Sequence, residues 1–207
     1  MAVAAPSMSS DLGFDAATMG LLFSAFAWSY GLMQIPGGWL LERFGSRVSY
    51  TVSLFLWSAF TVAMGFGKSF ASLFGIRLAI GAAEAPAFPT NSRVVAAWFP
   101  DKERATATSI YTAGEFIGLA FLTPVLFWVL ENYGWQEIFY LTGGIGIIAC
   151  LGWHYLYRDP AECTDVNQGE LDYIREGGGL AEKAGSTRSI TRRQIAELFK
   201  QIGRAHV

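Results

Sequence analysis

Three charged residues lie inside long apolar stretches of the chain, at Arg77, Glu84 and Glu115. A charge at the centre of a membrane-spanning helix costs roughly 2.5–3.5 kcal/mol, so each one needs a partner, a water-filled cavity or a ligand. Arg77 and Glu84 are seven residues apart, which places them on one helix face but about 10.5 Å apart along the axis. They are too far apart for a direct ion pair. Such charges mark ion and substrate pathways, and the alternative is a structural hydrogen bond between helices or a snorkelling side chain.

The composition is that of a membrane protein. Hydrophobic residues make up 52% of the 207 residues and charged residues 15%, against about 25% charged in soluble domains. Residues 1–157 hold 7 of the 15 Lys/Arg and 9 of the 17 Asp/Glu, and residues 158–207 hold the other 8 and 8. The net charge of −2 indicates no nucleic-acid partner. Cys150 and Cys163 alone indicate no disulfide framework.

Five apolar runs are each about as long as the roughly 20 residues that cross a bilayer, and they predict an all-α transmembrane fold. The predicted spans are about 18–41, 48–67, 70–98, 105–130 and 136–157. A short polar loop, residues 42–47, separates the first two, with Gly45 at its tightest point. Gly114 and Gly118 form a pair of small residues suited to close helix packing.

The Lys/Arg distribution predicts the orientation. Two basic residues lie in the turn at 42–47, two in the turn at 99–104 and eight in the tail, whereas the turn at 131–135 has none. The positive-inside rule makes the basic turns and the tail cytoplasmic and the N-terminus external. Residues 11–18 then form an external loop in which Asp15 caps the next helix. Residues 1–6 resemble the end of another span, so we expect a span before Met1.

The last six residues, I-G-R-A-H-V at 202–207, match the translation of ATC-GGA-AGA-GCA-CAC-GTC, a common sequencing adapter. We therefore expect an artefact there and a gene that continues. The alternative is a genuine extension of the amphipathic stretch at 190–200.

The loop that includes Gly38, Glu42, Arg43, Gly45 and Arg47 resembles the signature between the second and third helices of the major facilitator superfamily. The pattern of that family is Gly, three residues, an acidic residue, a basic residue, any residue, Gly, any residue and two basic residues. Val48 stands where the second of these basic residues is expected. The resemblance implies that the loop charges act as a gate that stabilises the outward-open state. Loop stabilisation and membrane topogenesis are the alternative roles.

A second segment, R-L-A-I-G-A-A-E-A-P-A-F-P at 77–89, resembles the fourth helix of the anion:cation symporter family. That family includes galactonate, glucarate and hexuronate permeases and animal organic-anion carriers. The resemblance implies that residues 1–157 are a partial N-terminal bundle, the second to sixth of twelve helices. Residues 158–201 are then the start of the central cytoplasmic loop, and a C-terminal half of the same polypeptide is implied as partner.

The same resemblance implies roles for four residues. Arg77 holds the carboxylate of an organic anion, and Glu84 takes part in proton coupling. Tyr30 offers a hydroxyl to the substrate. Glu115 stands where many sugar-acid members have Gln and is a candidate contact for sugar hydroxyls. Arg93 is expected to snorkel or to pair with Glu42.

These residues together predict a secondary active transporter in a bacterial inner membrane, surrounded by lipid. It carries out proton-coupled symport of an organic anion such as a sugar acid. No catalytic residue set, metal cluster or cofactor motif is evident, so an enzyme is not expected. The expected coupling ion is H⁺. The alternatives are a drug or neutral-sugar carrier of the same superfamily and a five-span membrane protein that does not transport.

Overall fold

The computed structural model describes residues 1–180, and this part of the chain forms helices and turns without a β-strand. The α-helices are α1 Ala5–Leu12, α2 Ala16–Met64, α3 Phe70–Glu84, α4 Ala87–Trp98, α5 Arg104–Tyr133, α6 Trp135–Leu156 and α7 Gln168–Glu176. A 3-10 turn, Pro160–Glu162, lies between α6 and α7. The prediction of an all-α fold is confirmed. The predicted artefact at 202–207 and residues 181–201 lie outside the described residues.

Four helical segments of the described part are long and apolar enough to cross a membrane: Ala16–Met64, Phe70–Trp98, Arg104–Tyr133 and Trp135–Leu156. The first has 49 residues, more than twice the roughly 20 that a bilayer requires. It contains the span predicted at 18–41 and residues 48–64 of the span predicted at 48–67. The second contains α3 and α4 together and covers the span predicted at 70–98.

Gly45 divides α2 into two arms, residues 16–44 and 46–64. Its backbone has φ 77° and ψ 171°, a combination that only glycine adopts readily. The Ser49 hydroxyl donates to the Leu40 carbonyl at 3.3 Å, although nine residues of straight helix rise by about 13.5 Å. The chain therefore bends sharply at one residue. The predicted six-residue loop is corrected: Glu42 and Arg43 end the first arm, and Arg47 begins the second.

Pro86 separates α3 from α4. Proline has no N–H to donate to the helix and its ring crowds the preceding turn, so α3 ends at Glu84 and Pro86 caps α4. The Pro86 carbonyl accepts a hydrogen bond from the Thr90 hydroxyl at 2.6 Å. The break at Pro86 thus lies two residues after Glu84.

Close contacts between the helices occur at glycines other than the pair that the sequence predicts. A Cβ atom on Gly81 of α3 would lie 2.2 Å from Ser29 Oγ on α2. A Cβ atom on Gly143 of α6 would lie 2.5 Å from a methyl group of Val62. Gly114 and Gly118 have no other atom within 4 Å of such a position. Within residues 1–180 the pair has no packing partner, since α5 buries only Val129 along its length, so its predicted role in close packing stays a prediction.

The hydrophobic core lies where α1 meets the ends of the long helices. Its buried members are Ala4, Met8, Met19, Leu22, Met64, Leu73, Ile80, Val129, Trp135, Ile138 and Phe139. Asp15 caps α2 as predicted, since its carboxylate accepts a hydrogen bond from the Thr18 amide at 2.8 Å. This bonding lowers the pKa of Asp15. The loop predicted from residue 11 is shorter, because Asp11 lies in α1 and accepts a hydrogen bond from Trp135 Nε1 at 3.0 Å.

The segment after α6 folds back onto the turn between α4 and α5. The Asp101 amide donates to the Gly177 carbonyl at 2.8 Å, and Arg104 Nη2 donates to the Gly178 carbonyl at 2.7 Å. We call Asp101, Arg104, Gly177 and Gly178 the glycine clasp. A Cβ atom on Gly178 would lie 2.7 Å from the Asp101 carboxylate, and the φ of Gly178 is +87°. The clasp therefore requires glycine at this position.

Candidate functional site

A cavity of about 240 Å³ lies inside the helical bundle. It is lined by Met1, Phe26, Trp57, Thr61, Arg77, Ile80, Glu84, Leu126, Ile138, Phe139 and Thr142. Pockets for drug-sized ligands measure about 300–1,000 Å³, so this one suits a small molecule or ordered water. Its walls combine apolar side chains with the hydroxyl groups of Thr61 and Thr142, the indole of Trp57 and the predicted pair Arg77 and Glu84. The cavity thus brings together two of the residues that the sequence singled out.

Arg77 projects from α3 towards the first arm of α2. Its Nε donates to the Leu22 carbonyl at 3.3 Å, and its guanidinium carbon lies 4.8 Å from the centre of the Phe26 ring. Within residues 1–180 it has no ion pair with a carboxylate. Its two terminal nitrogens therefore have no protein acceptor in this part of the chain. A guanidinium in that state can bind a carboxylate through both nitrogens.

Glu84 is the last residue of α3 and is half-buried in the cavity wall. As the sequence spacing predicts, it forms no direct ion pair with Arg77 among the described residues. Arg77 attracts its charged form, and Glu115 repels it. Arg77 and Glu84 thus share the cavity without contact, and the carboxylate of Glu115 outside the cavity adds a repulsion on Glu84.

Tyr30 and Glu115 do not line this cavity. The Tyr30 ring stacks on Phe26, with centroids 5.4 Å apart and an angle of 20° between the planes. Tyr30 is therefore linked to Arg77 through one intervening ring. Glu115 is exposed on α5, and the described structure gives it no hydrogen bond or ion pair. It acts on the cavity through its charge alone.

The signature motif divides into internal and exposed parts. Arg47 donates from Nε at 2.9 Å and from Nη2 at 2.6 Å to the carbonyl of His154 near the end of α6. Glu42 and Arg43 are exposed, and Arg43 lies over the rings of Trp39 and Phe44. Gly38 is helical with open space around it. Of the three charged residues in the motif, Glu42 and Arg43 are therefore available for contact with another part of the protein. The expected pair between Arg93 and Glu42 does not form among the described residues.

The sequence analysis singled out only Arg77 and Glu84 of the cavity residues and did not identify the others, among them Phe26, Thr61 and Thr142. The hydroxyl of Thr61 donates to the Trp57 carbonyl at 2.8 Å, and that of Thr142 donates to the Ile138 carbonyl at 2.7 Å. Their oxygens still have lone pairs directed away from these bonds. In the sequence, isolated threonines and phenylalanines in apolar runs resemble packing residues. Only their proximity to Arg77 in the folded structure distinguishes these three from packing residues. Among residues 1–180, no group of His, Cys, Asp and Glu is placed to hold a metal.

Apolar helices long enough to cross a bilayer, arranged around a small polar cavity, define a polytopic membrane protein with an internal site. A model of the Major Facilitator Superfamily matches residues 1–206. The chain therefore belongs to the Major Facilitator Superfamily and is an integral membrane protein. The resemblance drawn from the signature loop is confirmed.

Three relatives extend the comparison. A D-galactonate transporter of Escherichia coli O6:H1 is 51% identical over 182 residues, which cover 88% of this chain and 42% of that protein. A probable galactarate/D-glucarate transporter of Escherichia coli K12 is 43% identical over 186 residues, covering 87% and 41%. One from Bacillus subtilis is 40% identical over 186 residues, covering 87% and 41%. The chain thus spans about two fifths of the length of these relatives. All three are named as transporters rather than enzymes, in agreement with the prediction.

Solved structures share the fold. A bacterial homologue of the human lysosomal transporter Spinster, inward-facing and unoccupied, matches with a TM-score of 0.67 and 22% identity. That match covers 98% of this chain and 44% of the other. The inward-facing, occupied structure matches with a TM-score of 0.59 and 27% identity, covering 75% and 39%. The helical arrangement is therefore that of transporters in this superfamily.

Proposed function

We propose that this chain is the N-terminal part of a secondary transporter that moves a sugar acid together with a proton across a bacterial inner membrane. The observation that carries the proposal is the cavity in which the terminal nitrogens of Arg77 have no acceptor among the described residues. A sugar acid supplies the carboxylate for those nitrogens and hydroxyls for the neighbouring polar groups. The names of the relatives, a D-galactonate and two galactarate/D-glucarate transporters, support the same substrate class.

The separation of the two charges supports the proposed proton coupling. Arg77 and Glu84 share the cavity but do not pair. A substrate carboxylate bound at Arg77 adds a negative charge near Glu84, and uptake of a proton by Glu84 removes the resulting repulsion. Binding of the anion and of the proton would then favour each other, which is the requirement for symport.

The complete transporter is proposed to include a second half that closes over this site. Transporters of this kind hold their substrate near the membrane midplane between two repeats that rock against each other. We assign Glu42 and Arg43 to contacts with that second half, because both are exposed next to the Gly45 bend. Arg47 instead has a role inside this half.

Uptake assays with the complete polypeptide in sealed vesicles test the proposed substrate class. We expect uptake of radiolabelled D-galactonate or D-glucarate, stimulated by an inward proton gradient, and no uptake of D-galactose. Stimulation by a sodium gradient in place of protons would assign a different coupling ion. Uptake of D-galactose or of a cationic drug without any sugar-acid uptake would overturn the proposal in favour of another carrier class. No transport of any of these compounds would favour the non-transporting membrane protein.

A further inference from the structure

Phe26 contacts two of the predicted substrate residues at once. It lies on the first arm of α2, one turn before Tyr30, and its ring lines the cavity. The Arg77 guanidinium carbon is 4.8 Å from the ring centre. The Tyr30 ring is stacked on Phe26 at 5.4 Å. Phe26 therefore connects a cation on α3 with a phenol on α2.

The contact with Phe26 leaves Arg77 free to bind an anion. An aromatic ring attracts a cation through its quadrupole, within about 6 Å of the ring centre, and uses none of the cation's N–H donors. A carboxylate in the same place would neutralise the guanidinium and occupy its nitrogens. Here Nε bonds to the Leu22 carbonyl, the ring supports the guanidinium, and the terminal nitrogens stay available. This arrangement suits a site that must bind and release a carboxylate.

The approach of the two helices supports the same conclusion. A Cβ atom on Gly81, one turn after Arg77 on α3, would lie 2.5 Å from the Phe26 carbonyl. The absence of a side chain at Gly81 thus allows α3 to approach α2 next to Phe26. The distance between the ring and the guanidinium depends on this contact.

We propose that Phe26 is a positioning residue for anion binding, which orients the Arg77 guanidinium by a cation–π contact and the Tyr30 ring by stacking. The alternative is that Phe26 only fills space, since it also packs against the buried core. The two roles differ in one property. A positioning role depends on the electron density of the ring, whereas packing depends on its shape.

Fluorinated phenylalanines separate these roles, because each added fluorine weakens the ring quadrupole with little change in shape. We would replace Phe26 with mono-, di- and trifluorophenylalanine in the complete polypeptide and measure the Kd of D-galactonate. The expected result is a stepwise rise in Kd, reaching roughly 3- to 30-fold. Phe26→Leu should raise the Kd at least as much as the trifluoro variant does. Phe26→Tyr should retain most of the wild-type affinity for D-galactonate. Phe23→Leu is the control, since Phe23 is on the same helix and 38% exposed.

A Kd that is unchanged across the fluorinated series would overturn the proposal and leave Phe26 as a packing residue. The inference rests on the proposed function, so one measurement is made without substrate. In the full chain, hydrogen exchange at Arg77 Nε, followed by ¹⁵N NMR, should become faster as fluorines are added. If wild-type protein does not bind D-galactonate, the proposed substrate fails, and the exchange rates alone decide the role of Phe26. Exchange that does not change with fluorination would then contradict it.

Discussion

The guanidinium of Arg47 holds the carbonyl oxygen of His154 with two hydrogen bonds, of 2.9 and 2.6 Å, across 107 residues of sequence. The free carbonyls at the end of a helix carry partial negative charge and need donors. Arg47 supplies two donors for α6, and Arg158 Nη1 donates to the same carbonyl at 3.3 Å. The Trp153 indole in turn donates to the Arg47 carbonyl at 3.3 Å. The signature motif therefore fastens the second arm of α2 to the end of α6.

The first prediction concerns this connection. Arg47→Lys should lower the free energy of unfolding by about 1–2 kcal/mol, because lysine cannot reproduce both hydrogen bonds to one carbonyl. Thermal unfolding in detergent measures the change. Arg43→Lys is the matched control, since Arg43 is exposed and contacts only the faces of Trp39 and Phe44. Equal effects of the two substitutions would contradict the assignment of an internal role to Arg47.

Of the two glycines in the signature motif, Gly45 should tolerate substitution less well than Gly38. Gly45→Ala places a Cβ atom on a backbone with φ 77° and ψ 171°, which costs about 1–3 kcal/mol. Gly38→Ala lies in a helix with open space around it, so it should be neutral or stabilise by about 0.5–1 kcal/mol. Comparison of the two melting temperatures tests the bend. A greater loss with Gly38→Ala would mean that the bend at Gly45 is not as described.

The sequence predicted the fold and part of the candidate site for physical reasons that differ between residues. Long apolar runs and an unusual loop motif are local signals, so the all-α class and the family were predictable. Arg77 and Glu84 were found because a charge in a span is costly wherever it points. Phe26 and Gly81 carry no such signal, because a phenylalanine or glycine in an apolar run acquires its role only from the helix opposite. Gly114 and Gly118 show the converse case, since the motif is evident in the sequence but no helix of the described chain packs there.

Gly81 provides a test of the contact between α2 and α3. Gly81→Ala would bring a methyl group to 2.2 Å from Ser29 Oγ and 2.5 Å from the Phe26 carbonyl. Overpacking of this kind destabilises by about 1–3 kcal/mol. Gly114→Ala has open space and should be neutral or stabilise by up to about 1 kcal/mol. Unfolding of both variants in the same detergent is the measurement, and equal stability of the two would argue against the close approach.

The glycine clasp predicts a protected segment after α6. Arg104→Lys removes the fork that bonds the Gly178 carbonyl at 2.7 Å and the Asp101 carboxylate at 2.6 Å. Amide hydrogen exchange at residues 177–180 should accelerate by about tenfold, as expected for the loss of roughly one hydrogen bond. Arg175→Lys is the control, because its pair with Asp172 at 3.5 Å is on the surface and such pairs contribute little. Exchange that is unaffected by Arg104→Lys would show that other contacts hold the segment.

Transport by the Glu84→Gln variant of the complete polypeptide tests the central claim most directly. Proteoliposomes would be assayed for D-galactonate accumulation under an inward proton gradient and for exchange of labelled against unlabelled D-galactonate without a gradient. Glutamine keeps the size of the side chain and removes its titration. We predict that the variant loses gradient-driven accumulation and retains exchange, because substrate binding at Arg77 survives and proton coupling does not. Accumulation at the wild-type level in Glu84→Gln would contradict the assignment of proton coupling to this residue.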